Sequence, residues 1–190
     1  MHQIVTTDAV ALGKRGVGEA NVLVFLLTRD VGLVRVAARS ARLDVSKLRY
    51  GLEPLTHARY SLVRGRHEWR LTGVAAPRRL PSTATPGQRQ AAGRIARLLL
   101  RLIHGEEPVP ELYTTVVAGL DALFSVSDIE SIECILVLRI LAQLGYVSAT
   151  DDAEPFLAGT DFPPTLVAAA TAARLPLVRI INASLAATGL

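Results

Sequence analysis

A chain of 190 residues, half of them hydrophobic and 20% charged, is too apolar for extended disorder and has room for one or two compact units, two small ones being the better fit. One cysteine, Cys134, excludes an internal disulfide and a cysteine-built zinc site. Arg97, Arg101, His104 and Arg139 break the most apolar stretches before any reaches the roughly 18 residues of a membrane span. The net charge of +4 is uneven: residues 1–80 hold 14 Lys and Arg against 6 Asp and Glu, a net +8, and the remainder hold 7 against 11, a net −4. Charge gathered in this way suits a polyanion-binding module joined to a module that binds something else. The first residues, Met1-His2-Gln3-Ile4, lack the basic and apolar regions of a secretory signal, so the expected location is cytoplasmic.

From Ile4 to about Gly13 β-branched residues predict a strand, followed by a glycine-rich loop, Gly13-Lys14-Arg15-Gly16-Val17-Gly18. Val22–Thr28 and Leu33–Ala38, separated by Arg29-Asp30-Val31-Gly32, predict a hairpin. Residues 43–53 have no strand period and read as a loop with a helical turn ahead of Pro54. A second hairpin runs from His57 to Val63, turns at Arg64-Gly65-Arg66 and returns through Trp69–Val74. Five short strands with a longer insertion after the third fit a small Greek-key barrel of the OB type, although periodicity alone equally allows an SH3-like barrel.

Prolines and small polar residues crowd residues 77–87 and place a linker there, with a domain boundary near residue 82. Beyond it Gln88–His104 forms an amphipathic helix ended by Gly105, and Pro110 opens a second with Leu112, Val116, Leu120 and Phe124 on one face. A third helix follows Ser127 as N-cap with Glu130 three residues on, runs from Ile132 to Leu144, and is apolar enough to be central. A turn-rich stretch at 151–160 precedes helices at Thr165–Arg174 and Leu177–Ala187. The expected fold class is α+β: an N-terminal five-stranded OB-fold barrel, residues 1–82, followed by an all-helical domain, residues 83–190.

Nothing in the pattern supplies catalytic chemistry. His2, His57, His67 and His104 are scattered without a metal-binding spacing, Cys134 lies in the most apolar helix, and the acid pairs Glu106-Glu107 and Asp151-Asp152 fall in loops, so neither an enzyme nor a cofactor is expected. Nucleic acid is a better match, because cations recur along the barrel: Lys14, Arg15, Arg35, Arg39, Arg42, Lys47, Arg49, Arg66 and Arg70. Tyr50, Tyr60 and Trp69 are interleaved with them; Trp69, between Arg66 and Arg70, would be a base-stacking ring if exposed and barrel core if not. The same residues leave open an RNA-binding barrel or an adaptor for an acidic protein tail.

The order of Thr7-Asp8-Ala9-Val10-Ala11-Leu12, Gly18-Glu19-Ala20-Asn21, Phe25-Leu26-Leu27-Thr28, Val36-Ala37-Ala38-Arg39-Ser40-Ala41-Arg42, Ser46-Lys47-Leu48, Leu52-Glu53-Pro54-Leu55 and Val63-Arg64-Gly65-Arg66 resembles the first part of RecO-type DNA repair proteins. Val137–Tyr146 is similar to that family's helix ending in Leu-Gly-Tyr. The resemblance implies a recombination mediator that binds single- and double-stranded DNA, anneals strands coated by single-strand-binding protein, and works with RecR to help RecA load. It also implies a departure after Tyr146, since many members carry a four-cysteine zinc module where residues 147–157 hold no cysteine.

Overall fold

The structure, a computed structural model, describes residues 4–39, 41, 48–66, 68–147 and 152–187. The chain divides into two compact units: Met1–Ser82 with Ile103–Pro110, and Thr83–Leu102 with Glu111–Leu190.

The first unit is a closed barrel. Its strands are β1 (Ile4–Val17), β2 (Asn21–Thr28), β3 (Gly32–Ala38), β4 (His57–Arg64) and β5 (Trp69–Arg78), ordered β1-β2-β3-β5-β4 with β4 returning to β1. This order is that of the five-stranded OB barrel, and with the helices that follow it the chain is α+β. All pairings are antiparallel except β3 with β5. Successive side chains of a strand point to opposite faces, so Val22, Val24 and Leu26 of β2, Val34 and Val36 of β3, Tyr60 and Leu62 of β4, and Trp69 and Leu71 of β5 fill the interior. A 3-10 turn at Arg49–Gly51 lies in the connection between β3 and β4.

Two strands outrun their predicted ends, and a bulge explains each. β1 does not stop at Gly13: an irregularity between Ala11 and Gly13 resets its register against β2, and pairing continues to Val17 opposite Asn21. The residues predicted as a loop are therefore strand, and the turn begins at Gly18. In β5 the stretch from Ala75 to Arg78 opposes the shorter stretch from His57 to Arg59 of β4, and Ala76 takes φ +48° within that bulge.

The β2–β3 turn is pinned by Thr28, whose hydroxyl accepts the Val31 N–H at 3.0 Å and donates to the Gly32 carbonyl at 2.8 Å. Gly32 sits at φ +77°, and a Cβ there would lie 2.5 Å from the Glu107 carbonyl oxygen. Only glycine meets both demands.

The second unit is helical: α1 (Pro86–Leu102), α2 (Pro110–Ser125), α3 (Ile129–Gln143), α4 (Glu154–Leu157), α5 (Pro164–Ala172) and α6 (Arg174–Ala187). α1 starts two residues before Gln88, because Thr85 and Gln88 form a reciprocal capping box: the Thr85 N–H donates to Gln88 Oε1 at 2.9 Å and the Gln88 N–H to Thr85 Oγ1 at 3.2 Å. α3 is central as predicted, packing against α1, α4, α5 and α6. Its cap is Asp128 rather than Ser127; the carboxylate accepts the Ser131 N–H at 3.1 Å and the Thr171 hydroxyl at 2.7 Å. At the other end Gly145, at φ +80°, allows the amides of Gly145 and Tyr146 to reach back to the carbonyls of Ala142 and Leu141, a Schellman closure.

Two substitutions test these devices. Gly32→Ala should cost the barrel about 2 kcal/mol or more, read as a lower denaturant midpoint by Trp69 fluorescence. Asp128→Ala should cost about 1 kcal/mol near neutral pH. Burial acts to raise the Asp128 pKa, but the bonds from Thr171 and Ser131 outweigh it and hold the carboxyl below its ordinary 3.8. The cap's contribution is therefore complete above that value and is lost as pH falls through the lower folded one, so the gap between the variant and the parent should close in acid.

Candidate nucleic-acid interface

Strand register gathers part of the predicted cationic set. Arg15 lies opposite Leu23, Leu23 opposite Ala37, and Ala37 opposite Arg70, so Arg15 and Arg70 end one row across four strands. Arg35 lies two residues before Ala37 in β3 and shares its outward side, and Arg39 follows the end of the strand. Arg66 stands in the β4–β5 turn, which closes through a Gly65 N–H to Glu68 carbonyl bond of 3.0 Å. Arg15, Arg35, Arg39 and Arg66 are exposed and Arg70 is half-buried; none makes an ion pair with a described residue.

Other barrel cations are committed. Lys14 donates to Glu53 Oε1 at 2.8 Å. Arg59 donates to both carboxylate oxygens of Asp8, and that bond, stronger than the opposing effect of burial, holds the Asp8 carboxyl below its ordinary value. Arg64 pairs with Glu106 and lies over the Trp69 ring, 5.0 Å from its centroid. Trp69 is 5% exposed, sits in the barrel core, and donates its indole N–H to Glu106 Oε1 at 3.2 Å. This corrects the base-stacking option for Trp69: with its ring in the core and its N–H satisfied, no face is open to a base. Glu106 comes from the connection between α1 and α2, 37 residues downstream, and no local pattern marks it as the partner of Trp69.

Arg42 and Lys47 lie outside the described residues, as do His2, His67 and Asp151; Arg49 is placed by its backbone, in the 3-10 turn. Among the described residues no group of three or more His, Cys, Asp or Glu could hold a metal ion. Cys134 is buried in α3, and desolvation raises its thiol pKa to about 11, which keeps it protonated at neutral pH. No single helix among the described residues is long and apolar enough to cross a membrane.

The helical unit holds one buried cation that periodicity did not flag as special. Arg139 of α3 is 1% exposed; its Nε, Nη1 and Nη2 donate to the carbonyls of Phe156, Asp161 and Ala158 at 2.9, 3.0 and 2.7 Å, and its guanidinium lies 4.8 Å from the Phe162 ring centre. Burial lowers its pKa, against the opposing pull of the Asp161 charge. Its planar fork holds the 156–161 segment onto α3.

Residues 1–75 match the family model described as recombination protein O N terminal, and residues 90–152 match that described as recombination protein O C terminal. The chain is 31% identical over 140 residues to a DNA repair protein RecO from Heliobacterium modesticaldum, an alignment covering 73% of this chain and 50% of that protein. It is 29% identical over 140 residues to the DNA repair protein RecO of Desulfitobacterium hafniense, covering 73% and 51%. The chain thus spans about half the length of the curated relatives it matches.

Because Trp69 is the sole tryptophan and is enclosed, its emission should resist acrylamide quenching in the folded protein and stay unquenched when a single-stranded oligonucleotide is added. Strong quenching by the oligonucleotide would place a base on the indole and contradict this packing.

Proposed function

The chain belongs to the RecO-type family of DNA repair proteins, and on that footing we propose that it is a DNA-binding recombination mediator whose barrel holds single- and double-stranded DNA by its phosphates. The observation that carries this reading is the set of arginines Arg15, Arg35, Arg39, Arg66 and Arg70, without an ion pair to a described residue, while Glu53, Asp8 and Glu106 pair with Lys14, Arg59 and Arg64. Guanidinium groups on a strand surface bind phosphate oxygens and release counterions without reading sequence. Neutralising the phosphates of two complementary strands lowers the repulsion that opposes their approach, which is the physical basis proposed for annealing. Arg42, Lys47 and Arg49 extend the same cationic set in the sequence. The helical unit is proposed to bind protein partners, RecR and single-strand-binding protein among them, in a pathway that ends in RecA loading. No catalytic step is assigned.

Fluorescence anisotropy of a labelled single-stranded DNA at two salt concentrations tests the reading. The parent should bind tightly at low salt with a steep salt dependence. Arg35→Glu/Arg39→Glu should bind more weakly, with a slope flatter by about 0.7 for each phosphate that is no longer neutralised. A slope unchanged in the variant removes these arginines from the interface, and an absence of binding at low salt sinks the DNA-binding reading. An RNA oligomer competing as well as DNA would redirect it to RNA.

A further inference from the structure

Of the four described aromatic side chains in the barrel unit, Phe25, Tyr50, Tyr60 and Trp69, one is turned out to solvent: Tyr50, at 61% exposure. Its turn is tied to the barrel. The 3-10 turn that carries it is anchored to the barrel core, since the buried Tyr60 hydroxyl donates to the Gly51 carbonyl at 2.6 Å and the Gly51 N–H donates to the Leu48 carbonyl at 3.0 Å. Gly51 lies so close to Val74 of β5 that a Cβ there would collide with the Val74 side chain, which sets the turn against the strand. The Tyr50 carbonyl accepts the Arg79 Nε–H at 3.1 Å, and the Arg79 guanidinium covers the ring at 4.8 Å from its centroid. The bulge at Ala76 redirects the end of β5 just ahead of Arg79.

An exposed tyrosine gains nothing from burial, and an arginine ordered over it gives up side-chain freedom. What the pair offers is a flat, pre-ordered surface with a planar cation on one side and solvent on the other. We propose that Tyr50, backed by Arg79, is a stacking platform for an unpaired nucleobase. The base would lie on the open face of the ring, giving a guanidinium–phenol–base stack in which Arg79 also supplies charge to the adjoining phosphate. Every base has a π-face, so the platform is sequence-tolerant, but a base engaged in a duplex does not present that face. The platform therefore favours single strands, whereas the arginines near the start of β5 neutralise phosphates of either form. The proposal rests on the nucleic-acid reading of the barrel and adds to it the group that senses strandedness.

The test compares the full chain with Tyr50→Ala and Tyr50→Phe, by anisotropy of labelled oligodeoxythymidylate and of a duplex of the same length. Tyr50→Ala should weaken single-strand binding about ten-fold, leave duplex binding and the salt slope unchanged, and be rescued by Tyr50→Phe. An oligomer of abasic sites should bind the parent and Tyr50→Ala alike. If Tyr50→Ala binds the single strand as the parent does, the platform is overturned while the arginine–phosphate reading stands. An equal loss on single strand and duplex with a flatter slope also overturns it, because the ring would then be acting only through the position of Arg79. Failure of the parent to bind either form at low salt removes the nucleic-acid reading and the platform with it.

Discussion

A five-stranded sheet becomes a barrel only if its last free edges meet, and here they meet through a short parallel pairing, Val36 with Trp69 and Ala37 with Arg70. Parallel pairs give slanted, slightly weaker ladders than antiparallel ones, so a seam of this length needs support from side chains. Trp69 provides it, placing the largest side chain of the chain inside the barrel at the seam itself. Its indole N–H cannot be left without an acceptor in that setting. Glu106 meets the need and also receives Arg64, so the seam, the indole and the α1–α2 connection form one linked set.

That closure also sorts the charges. Once Arg64 is drawn onto Glu106 and the Trp69 ring, Lys14 onto Glu53 and Arg59 onto Asp8, Arg15 on β1, Arg35 on β3 and Arg70 on β5 remain without an ion pair to a described residue. The pairs made are exposed ones of small individual worth. Their effect is to leave the surplus positive charge on a defined part of the surface instead of spreading it evenly. Tyr50 stands apart from this set, at the far end of β5, where the ring is open and one cation is stacked on it.

The strands were legible because Val22–Thr28 is an unbroken apolar run and Leu33–Ala38 alternates apolar with polar or small residues, patterns that suit strands lining a barrel core. Their ends were not, since a bulge depends on a count of residues between two strands and Ala76, an ordinary alanine at positive φ, carries no mark of its role. The capping box at Thr85 and Gln88 was written in the sequence, yet the Pro86-Gly87 between them looked like linker; a proline in the first turn costs the helix nothing, because its amide has no partner there anyway. Ser127 and Asp128 are both good caps, and only the position of Thr171, a residue of α5, favours the second. For the site, the cations were legible as types. Which of them are spent on neighbours was not, because Glu53 and Glu106 reach them from distant parts of the chain. Arg139 shows the same limit, its three carbonyl acceptors being supplied by residues 156–161.

The first unit is not a continuous stretch of chain. It is complete only when Ile103–Pro110 has been added to Met1–Ser82, with α1 made in between. On the ribosome, where N-terminal parts usually fold as they emerge, the barrel's five strands are available well before Glu106 is. During that interval the indole of Trp69 and the guanidinium of Arg64 lack their carboxylate, and Gly32 lacks the backbone that will lie against it. A barrel formed at that point would lack these closing contacts until translation has passed α1. A gene cut at residue 82 would hold a protein permanently at that stage, which makes the α1–α2 connection part of the barrel's heritable unit even though it is encoded among the helices.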